Sequence, residues 1–221
     1  MPLMIEMLRA LDSLAGPFPA FDPAAVPEDP RDLFVAWFQR AVDAGVHEPH
    51  AMTLSTVDDA GWPDARVLIL KALDRDGWHF AATRTSRKGV EIDKNPKAAL
   101  TFYWQPLGRQ VRLRGAVQDM GPAARDADFR AKPAGSRAAA LLARQSQVMC
   151  GNDEFDEALD KALERQRARL ADDPGIVAPD WAVYALEPTE IEFWQGDEQR
   201  RHIRLRYRRH EAGWVRERLW P

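Results

Sequence analysis

One cysteine in 221 residues, Cys150, excludes an internal disulfide and with it the disulfide-stapled class of small secreted domains. In "QSQVMCGND" that cysteine reads as a small buried hydrophobe or as a lone nucleophile, and nothing around it singles out the second. No apolar run approaches the roughly 20 residues that a membrane-spanning helix requires. A basic start is missing too: "MPLMIEMLRALDSLAG" carries Glu6 and Asp12 and makes a poor signal peptide, so a cytoplasmic location is expected. Basic excess is absent: 31 Lys and Arg stand against 34 Asp and Glu, a formal charge of −3. That balance argues against general coating of nucleic acid, which needs surplus cations on one face. There is no P-loop, no G-x-G-x-x-G fingerprint and no cysteine cluster. "HEPH" sets His47 and His50 around a proline, which forbids the helical metalloprotease geometry, and no metal is expected.

What is present is an ordinary globular composition, 45% hydrophobic and 29% charged, long enough to bury a core. Residues 1–28, with Pro17, Pro19, Pro23 and Pro27, read as a short helix or arm and an extended lead-in. A helix is predicted from Asp29 as N-cap and Pro30 at the first turn, with Leu33, Phe34, Trp37 and Ala41 on one stripe and Gly45 as its stop. The next hundred residues change period. "AMTLSTVDDAG", "DARVLILKALDRDG", "WHFAATRT", "AALTFYWQP" and "RQVRLRGAVQDM" are short runs rich in β-branched and aromatic residues with turn signals between them. They predict an antiparallel meander or barrel, interrupted by a helix from Ser86 to Pro96. After Met120 the pattern turns helical, in "PAARDADFRAKP", "SRAAALLARQSQ" and a longer stretch with Phe155, Leu159, Leu163 and Leu170 on one stripe. The chain closes on strands, the last two joined as a hairpin at Glu211-Ala212-Gly213. With no repeat and no sharp shift in composition, residues 29–221 are expected to form one mainly β domain with flanking helices.

The charge is unevenly placed. "GDEQRRHIRLRYRRH" holds six arginines and two histidines in the eleven residues after Gln199. Read as a strand, it puts Arg200, His202, Arg204, Arg206 and Arg208 on one face. Ile203, Leu205 and Tyr207 fall on the other, which is expected to pack. The cation face is either a ligand site or a solvated face with acid partners from "DDAG" or "ERLWP". A second group, Ser86, Arg87 and Lys88, stands at a helix start, where unpaired N–H groups and the helix dipole suit a phosphate. A plain capped surface helix would look the same. Arg66 and Lys71 bracket "RVLILK"; five apart, they belong to opposite faces of a regular strand.

"RVLILK", "TSRKG", "RQVRLRG", "RQS" and above all "EFWQGDEQRRHIRLRY" resemble the pyridoxine/pyridoxamine 5′-phosphate oxidase family. The resemblance runs from about Asp29 to Pro221. It includes Glu-Phe-Trp-Gln-Gly followed by Arg-x-His-x-Arg and a final Arg-Leu-x-Pro, a signature shared with the phenazine-biosynthesis flavin oxidases. It implies a homodimeric FMN-binding split β-barrel, with residues 178–221 as the C-terminal dimerisation segment and the flavin between subunits. By resemblance, Arg66, Lys71, Ser86, Arg87 and Lys88 anchor FMN and its phosphate, and Ala81 and Ala82 run along the flavin. Gln110, Gln145, Ser146, Trp194 and Arg204 complete the cofactor site. Lys71, Lys132, Ser136, Arg200 and His202 meet the phosphorylated substrate, the last two nearest the chemistry. The implied reaction oxidises pyridoxamine or pyridoxine 5′-phosphate at C4′, with dioxygen as acceptor.

Two departures keep other readings in view. Where the family's substrate-phosphate set has Tyr, Arg and Ser, this chain has Asp128, Lys132 and Ser136. An acid replaces a phenol, and a point charge replaces a bidentate guanidinium. The N-terminal "GPFPAF" is closer to the start of the phenazine-type oxidases. The alternatives are therefore an FMN oxidase of the same fold acting on another small aromatic, and a flavin-binding dimer without catalysis.

Overall fold

A computed structural model describes residues 4–148, 155–211 and 213–221. Cys150 and Ala212 lie outside them, as does the side chain of Phe155. Among the described residues the helices are α1 (Met4–Arg9), α2 (Pro30–Asp43), α3 (Arg87–Lys94), α4 (Gly121–Ala131), α5 (Ala134–Leu141) and α6 (Phe155–Asp172). The strands are β1 (Ala51–Val57), β2 (Pro63–Ile69), β3 (Ala72–Asp74), β4 (Gly77–Thr83), β5 (Lys97–Trp104), β6 (Arg109–Asp119), β7 (Trp181–Gln195), β8 (Ile203–His210) and β9 (Gly213–Leu219). The fold is mainly β, as expected. The nine strands form one sheet in the order β2-β1-β5-β6-β7-β4-β3, with β8 pairing β7 and β9. The fifteen-residue β7 pairs antiparallel with β4 through Ala81↔Val183 and Ala82↔Ala182, and with β8 through Trp194↔Arg204.

The chain divides into two compact units. The first comprises Met1–Thr53, Leu100–Arg114 and Pro188–Pro221. Its helix α2 starts where expected: the Asp29 carboxylate accepts from Arg31 N at 2.8 Å, and Pro30 fills the first turn, where no N–H is needed. Leu33, Phe34, Trp37 and Ala41 are the buried stripe. Trp37 meets Phe193 edge-on at 5.3 Å and Phe34 meets Phe102 at 5.0 Å, so aromatic burial dominates this core. Arg109 is buried within it, stacked on Trp37 at 4.3 Å and donating Nε to Gln195 Oε1 at 2.9 Å. Burial first, then the Arg40 charge, lowers its pKa to about 10. The lead-in is tied down: Pro27 O accepts from Tyr207 Oη at 2.8 Å and Val26 O from Arg216 at 3.1 Å.

The second unit comprises Leu54–Ala99 and Gly115–Glu187. Trp78, Phe80, Ala82 and Ile92 are buried in it, with Phe80 stacked on Tyr184 at 5.5 Å. Phe129, Ala178 and Trp181 form a smaller cluster against Ala81, Ala140, Leu141 and Val177. On α6, Leu170 is buried and Leu159 and Leu163 half-buried, in keeping with the expected stripe.

Three expectations need correcting. Strand β8 begins at Ile203, so Arg200 and His202 belong to the turn before it rather than to a strand face. Arg200 has φ +64°, a left-handed conformation that breaks period-two alternation. Strand β2 ends at Ile69, and Lys71 N donates to His79 O at 2.8 Å at the start of the β3–β4 hairpin, so the opposite-face argument for Arg66 and Lys71 fails. Helix α5 ends at Leu141, leaving Gln145 and Ser146 beyond it, with Ser146 at φ +71°.

Candidate functional site

At the start of α3 the Ser86 side chain accepts from Gly89 N at 3.3 Å and donates to Thr83 O at 2.6 Å, closing the predicted cap. Ser86 is fully buried and Lys88 is 6% exposed, so this is not a plain surface helix start. Lys88 Nζ lies 3.4 Å from Ser86 Oγ and 3.2 Å from Gln145 Oε1. Both acceptors are neutral. Burial first, then the Arg66 charge, lowers the Lys88 pKa, while Glu91 opposes that shift. Arg87 N points to Ser146 Oγ at 3.5 Å. Arg66 donates Nη1 to Thr56 Oγ1 at 2.5 Å and Nη2 to Glu91 Oε2 at 3.3 Å, and pairs with Asp64 at 2.6 Å. Arg87 Nε reaches Glu91 Oε1 at 3.0 Å and Asp64 at 3.4 Å. The fold thus brings Arg66, Ser86, Arg87, Lys88, Gln145 and Ser146 into one cluster, although "RQS" is far from "TSRKG" in the chain.

A second cluster in the same unit joins Lys71, Asp128, Lys132 and Trp181. Asp128 Oδ1 pairs with Lys71 Nζ at 3.4 Å, and Oδ2 accepts from Trp181 Nε1 at 2.8 Å. Lys132 Nζ sits 4.2 Å from the centre of the Trp181 ring, within cation–π range. Burial first, then Lys71, lowers the Lys132 pKa, with Asp128 opposing. Ser136 is exposed on α5.

In the first unit, Trp194 and His202 lie with ring centres 4.9 Å apart. Asp197 N donates to His202 Nδ1 at 3.1 Å, so the neutral ring carries its proton on Nε2 and presents a donor there. Asp197 also organises the turn: its Oδ1 accepts from Gln199 N at 2.8 Å and Arg201 N at 3.1 Å. Arg200 reaches Ser13 Oγ at 3.0 Å. Arg204 donates Nε and Nη2 to the two oxygens of Glu192 at 2.7 and 3.2 Å, and Nη1 to Trp220 O at 3.0 Å. Burial would push the Glu192 carboxyl up, but hydrogen bonds from Arg204 and then Arg112 outweigh it and hold the pKa below 4.5. Farther along β8, Arg206 and Arg208 pair with Glu217 at 2.7 and 3.1 Å. The partner expected from "ERLWP" is therefore found, whereas Asp58 and Asp59 of "DDAG" pair with Arg87 and Lys94. Gln110 is half-buried on β6, and Ala81 and Ala82 lie on β4 beside β7.

The donor set at α3 fits a phosphate monoester such as that of FMN: a buried lysine held by neutral oxygens, two arginines and a helix start. Gly89 keeps the cap tight, because a Cβ there would stand 2.3 Å from Arg84 O. Sequence reasoning missed Glu91, Thr56, Asp64, Asp197 and Glu192. Glu91 stands four residues after Arg87, the helical ion-pair spacing, and "GD" before a cation run is a turn signal. Thr56 and Asp64 carry no local mark. Among the described residues, no group of three or more His, Cys, Asp and Glu could hold a metal. Nor is any helix among them long and apolar enough to cross a membrane.

Two family profiles match the chain: pyridoxamine 5′-phosphate oxidase over residues 38–195, and the pyridoxine 5′-phosphate oxidase C-terminal dimerisation region over residues 181–221. A pyridoxine/pyridoxamine 5′-phosphate oxidase of Bordetella avium is 46% identical over 193 residues, 87% of this chain and 89% of that one. One from Salinibacter ruber is 43% identical over 199 residues, 89% of this chain and 91% of that one. Among solved structures, PhzG of Burkholderia lata, in complex with tetrahydrophenazine-1-carboxylic acid, is similar with a TM-score of 0.84 and 28% identity, over 93% of this chain and all of that one.

Proposed function

The chain belongs to the pyridoxamine 5′-phosphate oxidase family, a family of oxidoreductases, and on that premise we propose that it is an FMN-dependent oxidase converting pyridoxamine or pyridoxine 5′-phosphate to pyridoxal 5′-phosphate. The observation that carries the cofactor is Lys88, a buried cation whose two acceptors are neutral and whose neighbour is Arg66. Such a site is completed by an anion. Ser86, Lys88, Arg66 and Arg87 hold the FMN phosphate, with Gln145 and Ser146 closing the cradle. FMN, when bound, would supply a two-electron acceptor for the hydride leaving C4′, with dioxygen as terminal oxidant, reduced to peroxide; the alcohol gives the aldehyde directly, and the amine gives an imine that water hydrolyses with release of ammonia. Lys71, Lys132 and Ser136 bind the substrate phosphate. Arg200 and the Nε2–H of His202 orient the substrate, and Trp194 backs the His202 ring. The site works by positioning: one charged cluster holds the cofactor phosphate and the other the substrate phosphate, which keeps a small substrate in a reactive pose. Gln110, Trp194 and Arg204 complete the cofactor site in a homodimer assembled through the C-terminal segment.

The test is to add pyridoxamine 5′-phosphate and pyridoxine 5′-phosphate to the yellow protein without oxygen. Loss of flavin absorbance with either, and its return with air, is expected; a flavin that neither compound bleaches overturns the substrate reading. Release of FAD or of no flavin on denaturation overturns the cofactor reading. One observation favours a second substrate class. Asp128 occupies both Lys71 and Trp181 Nε1, which lessens the charge available to a phosphate dianion. A reduced phenazine carboxylic acid, the kind of ligand in the PhzG structure, carries a single negative charge and belongs in the same assay.

A further inference from the structure

An acid stands at the centre of the cation cluster that starts α3. Glu91 is 4% exposed, and both its oxygens are taken: Oε1 by Arg87 Nε at 3.0 Å, Oε2 by Thr56 Oγ1 at 2.5 Å and Arg66 Nη2 at 3.3 Å. For a site that takes an anion, a buried carboxylate has the wrong charge, since it subtracts from the attraction a phosphate would feel. An ordinary i,i+4 helix pair with Arg87 lies on the surface and does not need burial. What Glu91 does have is reach. Among the described residues it is an acceptor shared by Arg66 from β2, Arg87 from α3 and Thr56 from β1; Asp64, one-third exposed on β2, meets the two arginines at 2.6 and 3.4 Å but not Thr56. Thr56 relays the contact, receiving Arg66 Nη1 at 2.5 Å while donating to Glu91. Three cations crowd here, and Arg66 depresses the Lys88 pKa while Glu91 restores part of it. Left to themselves, two long guanidinium chains beside a buried ammonium would spread into solvent.

We propose that Glu91 is a positioning residue of the phosphate cradle, aiming Arg66 and Arg87 so that the site selects a flavin that bears a phosphate monoester. The proposal rests on the FMN reading above. Its content is that ordering the two arginines in advance outweighs the charge Glu91 removes. The two effects have opposite signs, so an experiment separates them. If Glu91 acts only as a competing charge, its neutral amide tightens FMN. If it positions, the amide weakens FMN and spares riboflavin, which lacks the phosphate.

The full chain, stripped of flavin, is titrated with FMN and with riboflavin for the wild type, Glu91→Gln, Glu91→Asp, Thr56→Val and Lys88→Met. Expected is a preference for FMN in the wild type that falls roughly ten-fold or more in Glu91→Gln, with riboflavin affinity within about two-fold of wild type. Thr56→Val, which keeps the carboxylate but removes the relay, falls in the same direction by less. Glu91→Asp keeps the charge on a shorter arm and recovers part of the preference. An FMN preference that rises or holds in Glu91→Gln overturns the proposal, and so does equal weakening of both flavins, which would mark Glu91 as merely structural. Should Glu91→Gln not fold, Thr56→Val decides by the same two ratios. Lys88→Met tells the premises apart. A wild type with no preference, and a Lys88→Met variant no different from it, sinks the cradle itself and the proposal with it. Where Lys88→Met loses a preference that the wild type has, the cradle stands and the Glu91 and Thr56 variants alone judge the proposal.

Discussion

Arg204 meets Glu192 through two hydrogen bonds, and Glu192 is 5% exposed. Removing the guanidinium leaves a buried carboxylate with Arg112 alone, at 2.5 Å. Arg204→Ala should therefore cost about 1.5–3 kcal/mol of stability as well as weaken FMN retention. The pH dependence follows from the depressed Glu192 pKa. A carboxyl with a lowered folded pKa stabilises above its ordinary value and loses that contribution as pH falls through the folded value. The gap in Tm between wild type and Arg204→Ala should be full at pH 7 and shrink as pH drops below 4.5. A gap that is constant with pH would mean the Glu192 pair contributes nothing. Arg200 is different in kind. It sits exposed in the Asp197 turn, its backbone N donating to Asp197 O at 3.0 Å and its side chain to Ser13 Oγ at 3.0 Å. Arg200→Ala should change stability by no more than about 0.5 kcal/mol and leave FMN bound, yet slow flavin reduction roughly ten- to a hundred-fold in a single turnover. Arg208, exposed and paired with Glu217, is the control and should affect neither. If Arg200, Arg204 and Arg208 variants behave alike, these arginines form a generic charged face and the roles assigned to them are wrong.

At the scale of the element, α3 opens the cation cluster proposed to hold the FMN phosphate and depends on two small residues. Ser86→Ala deletes the cap to Gly89 N and should destabilise by about 1 kcal/mol, read in a denaturation midpoint. Gly89→Ala is harsher: its Cβ would meet Arg84 O at 2.3 Å and Thr83 O at 2.5 Å, backbone atoms that cannot rotate away. Overpacking of that kind costs about 1–3 kcal/mol, so this variant should be the less stable of the two and release FMN faster. A Gly89→Ala protein as stable as wild type would show that the turn yields. Helices α2 and α3 were legible from sequence because caps and stops are local chemistry: Asp29-Pro30 and Ser86 act within three residues. The strands were legible from runs of β-branched and aromatic residues between turn signals, and the packing face of β8, Leu205 and Tyr207, from period-two alternation. That rule misled at both ends of cation runs. Arg200 adopts φ +64°, which no arginine advertises, and Lys71 turns into a hairpin held by His79 O. The acids of the site were the hardest to see. Glu91 faces Thr56 across 35 positions and Asp128 faces Trp181 across 53, and only folding makes those distances short.

At the scale of the whole molecule, the slight acidity and the basic run are reconciled by pairing: Glu190, Glu192 and Glu217 take up Arg204, Arg206 and Arg208. A match to a dimerisation region over residues 181–221 makes assembly the next question. The purified, FMN-loaded protein should scatter light as a dimer, twice the 25.0 kDa of the chain. The stronger prediction concerns which chain supplies what. Lys88→Met should lose FMN, and Arg200→Ala should keep it and turn over poorly, so each homodimer is defective. If each site takes Lys88 from one subunit and Arg200 from the other, co-expressing the two variants makes mixed dimers. Each of these has one site with both residues intact and one with neither. Random pairing gives mixed dimers about half the time, so roughly a quarter of all sites should recover wild-type turnover. If both residues come from one chain, every site keeps one lesion and co-expression yields only the average of the two parents. Differently tagged chains and tandem purification isolate the mixed dimer, in which recovery should reach about half of the wild-type value. Recovery no higher than the parental average there means that the site does not draw on two subunits.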